Sequence, residues 1–285
     1  MPMKFVTALL IVSASLSVSH VAEGAFLYSN GFETNVSDWD AFGGSFNATR
    51  VPSGTNGITS ASGSFHAVSS ASGSASRWGG YNYGAGNAVA TVFQEYITSV
   101  DIHFDVNASL ANDTRFDFSS AINNAAGTHL RDFIFNGGFY NDATGPGAST
   151  NRFVISASTN SQPGSAFAKN PANDPIAIST TGWYTFQHHF YDNGGVLAVD
   201  MSIYDSSSAL INSWTRSNLA DAIAGVGGNR YGWFAYNQLP VLAFDNASLE
   251  TITTTPVPEP TALAMLFGFG FPLLAARLLR KKHAA

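Results

Sequence analysis

The 285-residue chain has a formal net charge of −6, and only 11% of its residues are charged, against about 25% in an average soluble domain. The acidic balance argues against nucleic acid as a partner. The absence of cysteine removes disulfides and thiolate zinc sites. Aromatic residues make up 13% of the chain, with 22 Phe, and a chain of this length can bury a sizeable core.

At the N-terminus, Lys4 precedes an apolar run over residues 5–18, and Ala22 and Gly24 are small. Residues 1–24 therefore read as a secretory signal peptide with cleavage before Ala25. The apolar run is too short for a comfortable membrane span. Residues 25–250 form the body, which the patterning predicts to be all-β. Residues 57–76 are rich in Ser, Ala and Gly, and Ser-Ala-Ser-Gly-Ser occurs there twice. Two copies do not make a solenoid, and a strand is expected over 65–68. Val100, Ile102, Phe104 and Val106 alternate with Asp101, His103, Asp105 and Asn107, the period of a half-buried strand. Weaker strands are expected over 115–119, 131–136 and 152–158, then a long loop over 159–174. Tyr184, Phe186, His188 and Phe190 share one strand face, on which His188 reads as a satisfied core histidine. Asn193-Gly194-Gly195 reads as the hairpin turn to the next strand, Leu197 to Ile203. Asn218 can cap a short helix that Gly225 ends. Further strands are expected over 231–236 and 241–249.

Two loops mix aromatic rings with Asn, Asp or Arg, the combination that stacks on a sugar and hydrogen-bonds its hydroxyls. One is 77–83, with Trp78, Tyr81 and Tyr83; the other is 136–142, with Asn136, Tyr140 and Asp142. A weaker third is Gly228-Asn229-Arg230-Tyr231. Trp78 and Tyr140 equally suit plugs at the ends of a sandwich, where each finds a partner for its polar tip. Glycoside hydrolysis needs two opposed carboxyl groups about 5–10 Å apart. The five Glu residues are Glu23, Glu33, Glu95, Glu250 and Glu259, and they do not cluster in sequence. A Gly-x-Ser-x-Gly nucleophile elbow and His-x-His zinc spacing are both absent. The body is therefore expected to be non-catalytic.

Residues 251–255 form a Thr-rich linker that runs into Pro256. Beyond it come Val257-Pro258-Glu259-Pro260-Thr261, an uncharged apolar run over 262–276, and the cations Arg277, Arg280, Lys281 and Lys282. The run approaches the roughly 20 residues a transmembrane helix needs, although Pro272 lies within it. Cations placed after the run favour a cytoplasmic C-terminus. Motif, helix and basic end, over 256–283, resemble the PEP-CTERM sorting signal of Gram-negative bacteria. That resemblance implies recognition of Val257, Pro258, Glu259 and Pro260 by exosortase, a membrane protease-transpeptidase. It also implies export, a membrane-anchored stage, and a cell-surface or extracellular place in exopolysaccharide and biofilm matrix.

Many short strands and long loops predict a single β-sandwich. The opening Asn30-Gly31-Phe32-Glu33 with Trp39, the central Gly182-Trp183-Tyr184 and the closing Phe244-Asp245-Asn246-Ala247-Ser248-Leu249 loosely resemble concanavalin A-like or laminin-G-like jelly rolls. In such folds the first and last strands tend to be neighbours. The resemblance then implies that Glu33 and Asp245 meet at one structural Ca²⁺, which needs six or more oxygens. Together these readings predict a carbohydrate-associated surface or matrix protein that binds exopolysaccharide. A purely structural surface protein, or a glycan hydrolase, is the alternative.

Overall fold

Alternation of apolar and polar residues produces strands and little else. The computed structural model describes residues 23–37, 39–42, 48–70, 75–78, 92–161 and 167–253. In chain order the strands are β1 (Glu23–Asn30), β2 (Asp40–Phe42), β3 (Thr49–Pro52), β4 (Phe65–Ser69), β5 (Ala75–Trp78), β6 (Tyr96–Phe104), β7 (Thr114–Asn124) and β8 (His129–Tyr140). They continue with β9 (Arg152–Thr159), β10 (Ile176–Ile178), β11 (Gly182–Asp192), β12 (Val196–Asp205), β13 (Leu210–Ala222), β14 (Val226–Asn237) and β15 (Leu242–Thr253). The residues before 23 and after 253, which include most of the expected signal peptide and the whole sorting segment, lie outside the described residues. β1 begins at Glu23, two residues before the expected cleavage point. Among the described residues no helix is long and apolar enough to cross a membrane.

The strands form two sheets. One runs β13-β12-β11-β6-β15-β4-β3, with β1 also on β15; the other runs β10-β9-β8-β7-β14-β5-β2. Their inward residues interleave in one apolar core, so the body is an antiparallel β-sandwich. Phe104 of β6 stacks on Phe153 of β9 at 4.2 Å and meets Phe186 edge-on at 5.8 Å. Tyr96 stacks on Phe190 at 4.3 Å within the eight-stranded sheet. His188 is fully buried, and its Nε2–H donates to the Phe133 carbonyl across the sandwich at 3.1 Å. Its Nδ1 has no partner, so the expected core histidine is only half satisfied. Burial lowers its pKa to about 3, with the Phe133 bond opposing the shift.

The three clear alternating segments became β6, β11 and β12, and the Asn193-Gly194-Gly195 turn joins the last two, with Asn193 N–H donating to the Val196 carbonyl at 2.9 Å. The expected strand over 65–68 is β4. Two expectations are corrected. No helix follows Asn218: β13 runs through it, and only a 3₁₀ turn, Ile223–Gly225, follows. The Asn218 side chain does accept an amide, that of Ala220 at 2.9 Å, but it closes a local turn within a strand. The glycine-rich segment 136–140 is not a loop but the end of β8. A Cβ on Gly137 would lie 2.3 Å from the Phe116 ring, so glycine is required there by packing and not by a turn.

Candidate functional site

The core residues of β7 are Phe116, Phe118 and Ile122, and those of β8 are Phe133, Phe135 and Phe139. Period-two alternation puts Arg115, Asp117, Ser119 and Asn123 of β7, and Asn136 and Tyr140 of β8, on the opposite, outer face. Phe153, Ile155 and Ala157 of β9 also face the core, which leaves Ser156 and Ser158 outside. Strand register lines these up in a row, Ser156 opposite Asn136, Asn136 opposite Asp117, and Asp117 opposite Tyr236.

An outer sheet face is normally wet, yet Ser119, Ser156 and Ser158 are 0% exposed and Asn136 1%. Asn136 Nδ2 donates to Ser158 Oγ at 2.9 Å. Asn136 Oδ1, Ser119 Oγ, Ser156 Oγ and both side-chain polar atoms of Asn123 have no hydrogen-bond partner. Each such orphan costs about 1–3 kcal/mol. Asp117 stands among them, partly buried, and what acts on its carboxyl is burial and the Arg115 charge, with no hydrogen bond among the described residues. Burial pushes its pKa up to about 7, and the nearby Arg115 charge offsets this only in part. The face thus carries, among the described residues, a set of hydroxyl and amide atoms left without partners.

A wall closes one end. Tyr140, Val154 and Ala168 form a small second core on this face. Tyr140 Oη donates to Asp113 Oδ1 at 2.6 Å, and Arg115 Nε donates to the same oxygen at 2.7 Å. The Arg115 bond holds Asp113 below the usual carboxylate range, and burial raises the Tyr140 phenol. Lys169 Nζ lies 4.4 Å over the Tyr140 ring and 2.6 Å from Asp142 Oδ2, and Arg152 Nη2 reaches Asp142 Oδ1 at 3.1 Å. Lys169 first, then Arg152, holds Asp142 well below the usual range. The fully buried Arg152 also donates to the carbonyls of Thr144, Pro146 and Thr150, which pins the loop after β8.

Of the residues expected to hold sugar, the structure therefore places Asn136 in the polar floor and Tyr140 and Asp142 in the wall. Tyr140 has its ring under Lys169 and its hydroxyl on Asp113; it is the plug of the alternative reading. Trp78 closes β5, with its backbone opposite Gly232 of β14. Tyr81 and Tyr83 lie outside the described residues. Gly228 to Tyr231, expected as a loop, belong to β14. Asp117, Ser119 and Ser156 were missed by sequence reasoning. Their signal was present as polar residues set between Phe116, Phe118 and Ile155, but alternation alone does not say which polar face is covered.

The first and last strands are neighbours, since β1 pairs with β15. Glu33 and Asp245 nevertheless do not converge on a cation cage. The Glu33 carboxylate accepts the amides of Ser64 (3.0 Å) and Phe65 (3.1 Å), and Asp245 accepts those of Asn246 (2.9 Å) and Ser62 (3.3 Å). Both carboxylates tie down the loop before β4, which Gly63 completes at φ 59° with room for no Cβ beside Glu33. Amide hydrogens directed at the carboxylates suit anionic acceptors and oppose a cation at the same place. The donor set does not fit the expected Ca²⁺, and no group of three or more metal-ligating side chains exists among the described residues. Burial, aided by the Asp101 charge, raises the Asp245 pKa to about 6. A cleft of about 660 Å³ lined by Pro146, Lys169, Pro171, Asp174 and Trp214 shares Lys169 with the wall around Tyr140, and none of its lining residues has an orphaned buried polar atom.

No protein-family model matches the chain, and no curated protein matches it. Among solved structures it is similar to the CBM2 module of the evolved Dit of Lactobacillus casei BL23 phage J-1, at 11% identity over 83% of this chain and 99% of that one, with a TM-score of 0.43. It is also similar to winged bean acidic lectin, solved with methyl-α-D-galactose, at 12% identity over 81% and 99% of the two chains and a TM-score of 0.36. A third similarity is to the alginate lyase of Alteromonas sp. 272, at 9% identity over 81% and 95% and a TM-score of 0.29. Likenesses this distant carry no weight for the site.

Proposed function

We propose that this is an exported, non-catalytic glycan-binding protein of the cell surface or matrix, a jelly-roll β-sandwich that takes a polysaccharide on the outer face of its seven-stranded sheet. One observation carries the reading: a row of buried, unpartnered polar atoms on a face that does not touch the core. These atoms are covered in this structure, so a sugar reaches Asn136 Oδ1, the Ser119 and Ser156 hydroxyls and the Asp117 carboxyl only once their cover is displaced, and its hydroxyls then donate and accept along the row. Among the described residues the other carboxyls of this face are engaged, Asp113 by Arg115, Asp142 by Lys169 and Arg152, and Asp132 by His129 and Asn160, so the second carboxyl that hydrolysis needs is missing there. Export and exosortase sorting rest on the order of motif, apolar run and cations after residue 255.

The test is titration of the purified full-length chain with a panel of bacterial exopolysaccharides, alongside Ser119→Ala/Asn136→Ala. Binding by the wild type that falls roughly tenfold in the folded variant supports the face. Binding to no glycan leaves the purely structural reading. Pro258→Ala with Glu259→Ala should alter processing, and unchanged mass and location would sink the sorting part. A hydrolase reading is favoured by Asp117 alone, since a carboxyl titrating near neutrality can move a proton. It predicts reducing-sugar release that Asp117→Asn abolishes.

A further inference from the structure

The eight-stranded sheet ends on β13, a strand of 13 residues whose far edge no other strand covers among the described residues. Exposed edges are usually blunted by Lys, Pro or charges. β13 has neither Lys nor Pro, and its two charged residues are turned inward. Arg216 donates to the Ala157 and Asn173 carbonyls, and Asp221 pairs with Arg131. Instead the strand exposes Ile211 (39%) and Leu219 (89%).

Residues 210–220, Leu-Ile-Asn-Ser-Trp-Thr-Arg-Ser-Asn-Leu-Ala, read nearly the same in both directions about Thr215. Ser213 mirrors Ser217, Asn212 mirrors Asn218, and Ile211 mirrors Leu219. Ser213, Thr215 and Ser217 are exposed while Trp214 is buried, so these mirrored residues share one face. An antiparallel pair of identical strands about a two-fold axis places each residue opposite its mirror image, on the same face.

We infer that two copies of this chain dimerise by antiparallel pairing of their β13 edges, with the two-fold axis at Thr215. Ser213 then stands opposite Ser217 and Ile211 opposite Leu219, while Trp214 and Arg216, both on the inward face, stand opposite each other, and no two charges confront each other. The β12–β13 ladder is regular over 212–217 and shifts register on each side, which leaves Ile211 and Leu219 at the flanks of the flat run. Bulges also serve to blunt edges, and that is the competing reading. The axis stands normal to the sheet, so both seven-stranded sheets lie on the same side of the dimer. The inference does not depend on what those sheets bind.

The chain has no cysteine, so single-cysteine variants of the full-length protein read the register directly. Paired residues sit about 4.5–5.5 Å apart at Cα, within the roughly 4.4–6.8 Å a disulfide spans. Under mild oxidation Thr215→Cys should crosslink to itself and double in mass on a non-reducing gel. Ser213→Cys and Ser217→Cys should each stay largely single, yet crosslink when mixed. The substituted positions are exposed, and the mixed pair leaves the Thr215 hydroxyl bond to Asp200 intact. Association through the C-terminal segment would not reproduce this register. Crosslinking of Thr215→Cys no greater than that of Ser213→Cys alone, or a mixture that crosslinks no better than its components, would overturn the inference.

Discussion

The two outer faces of the sandwich use the same side-chain types in opposite ways. On the eight-stranded sheet the polar groups find one another across the strands. Ser99 bonds Ser248 at 2.7 Å, Ser202 bonds Ser213 at 2.8 Å, Thr185 donates to Asp101 at 2.6 Å and His189 meets Glu95 at 2.7 Å. His66 is the exception, its Nε2 orphaned and its ring beside Trp183. On the seven-stranded sheet Ser119, Ser156, Asn123 and Asn136 keep unpaired polar atoms although they are more deeply buried. Each such orphan calls for an explanation; on the reading proposed above it is a ligand, and pairing rather than polarity would then separate the solvated face from the site.

The largest effect would come from removing the support both faces share. Phe104→Ala is expected to cost about 3–5 kcal/mol, read as a fall in thermal midpoint, and a loss under 1 kcal/mol would show that the faces do not rest on a common core. Acid comes next. His188 is neutral in the fold with a pKa near 3 against 6.5 when unfolded. The unfolded chain therefore binds the extra proton first, and stability should drop as pH falls from about 6.5 toward 3, by up to ~1.4 kcal/mol per pH unit. His188→Gln should flatten that slope. Asp117 acts in the opposite direction. Its folded pKa of about 7 lies above the 3.8 of an unfolded Asp, so the folded state holds the proton longer, and stability falls as pH rises through this window. Asp117→Asn should therefore stabilise at pH 8, by about 1–3 kcal/mol, and change little at pH 4. Equal effects at both pH values would refute the raised pKa.

The smallest effects are the most discriminating. Ser119→Ala removes an orphaned hydroxyl and is expected to leave stability unchanged or raise it by up to about 1 kcal/mol, whereas Ser99→Ala breaks a made bond and should cost about 0.5–1.5 kcal/mol. Melts that show the same sign and size for both would erase the difference between the faces.

Much of the fold was legible because burial imposes period two on Val100 to Phe104, on Tyr184 to Phe190 and on Leu197 to Ile203. The end of β8 was not, because Gly137-Gly138 looks like a turn in sequence, while its real cause, the Phe116 ring beneath Gly137, is a contact between strands. The neighbourhood of Glu33 and Asp245 followed from adjacent terminal strands. Its chemistry did not, since the Ser62, Ser64 and Phe65 amides that the carboxylates accept carry no side-chain signature. Asn136 was found through its aromatic surroundings. Asp117 was hidden because a strand pattern reveals two faces without telling which one is buried.

The most direct measurement is calorimetric titration of one bacterial exopolysaccharide into the full-length wild type, Ser119→Ala/Asn136→Ala and Ser99→Ala. The account predicts that the first variant loses roughly tenfold or more in affinity while keeping its fold, and that Ser99→Ala binds as the wild type does. Equal binding by all three proteins would contradict a glycan site on the seven-stranded sheet.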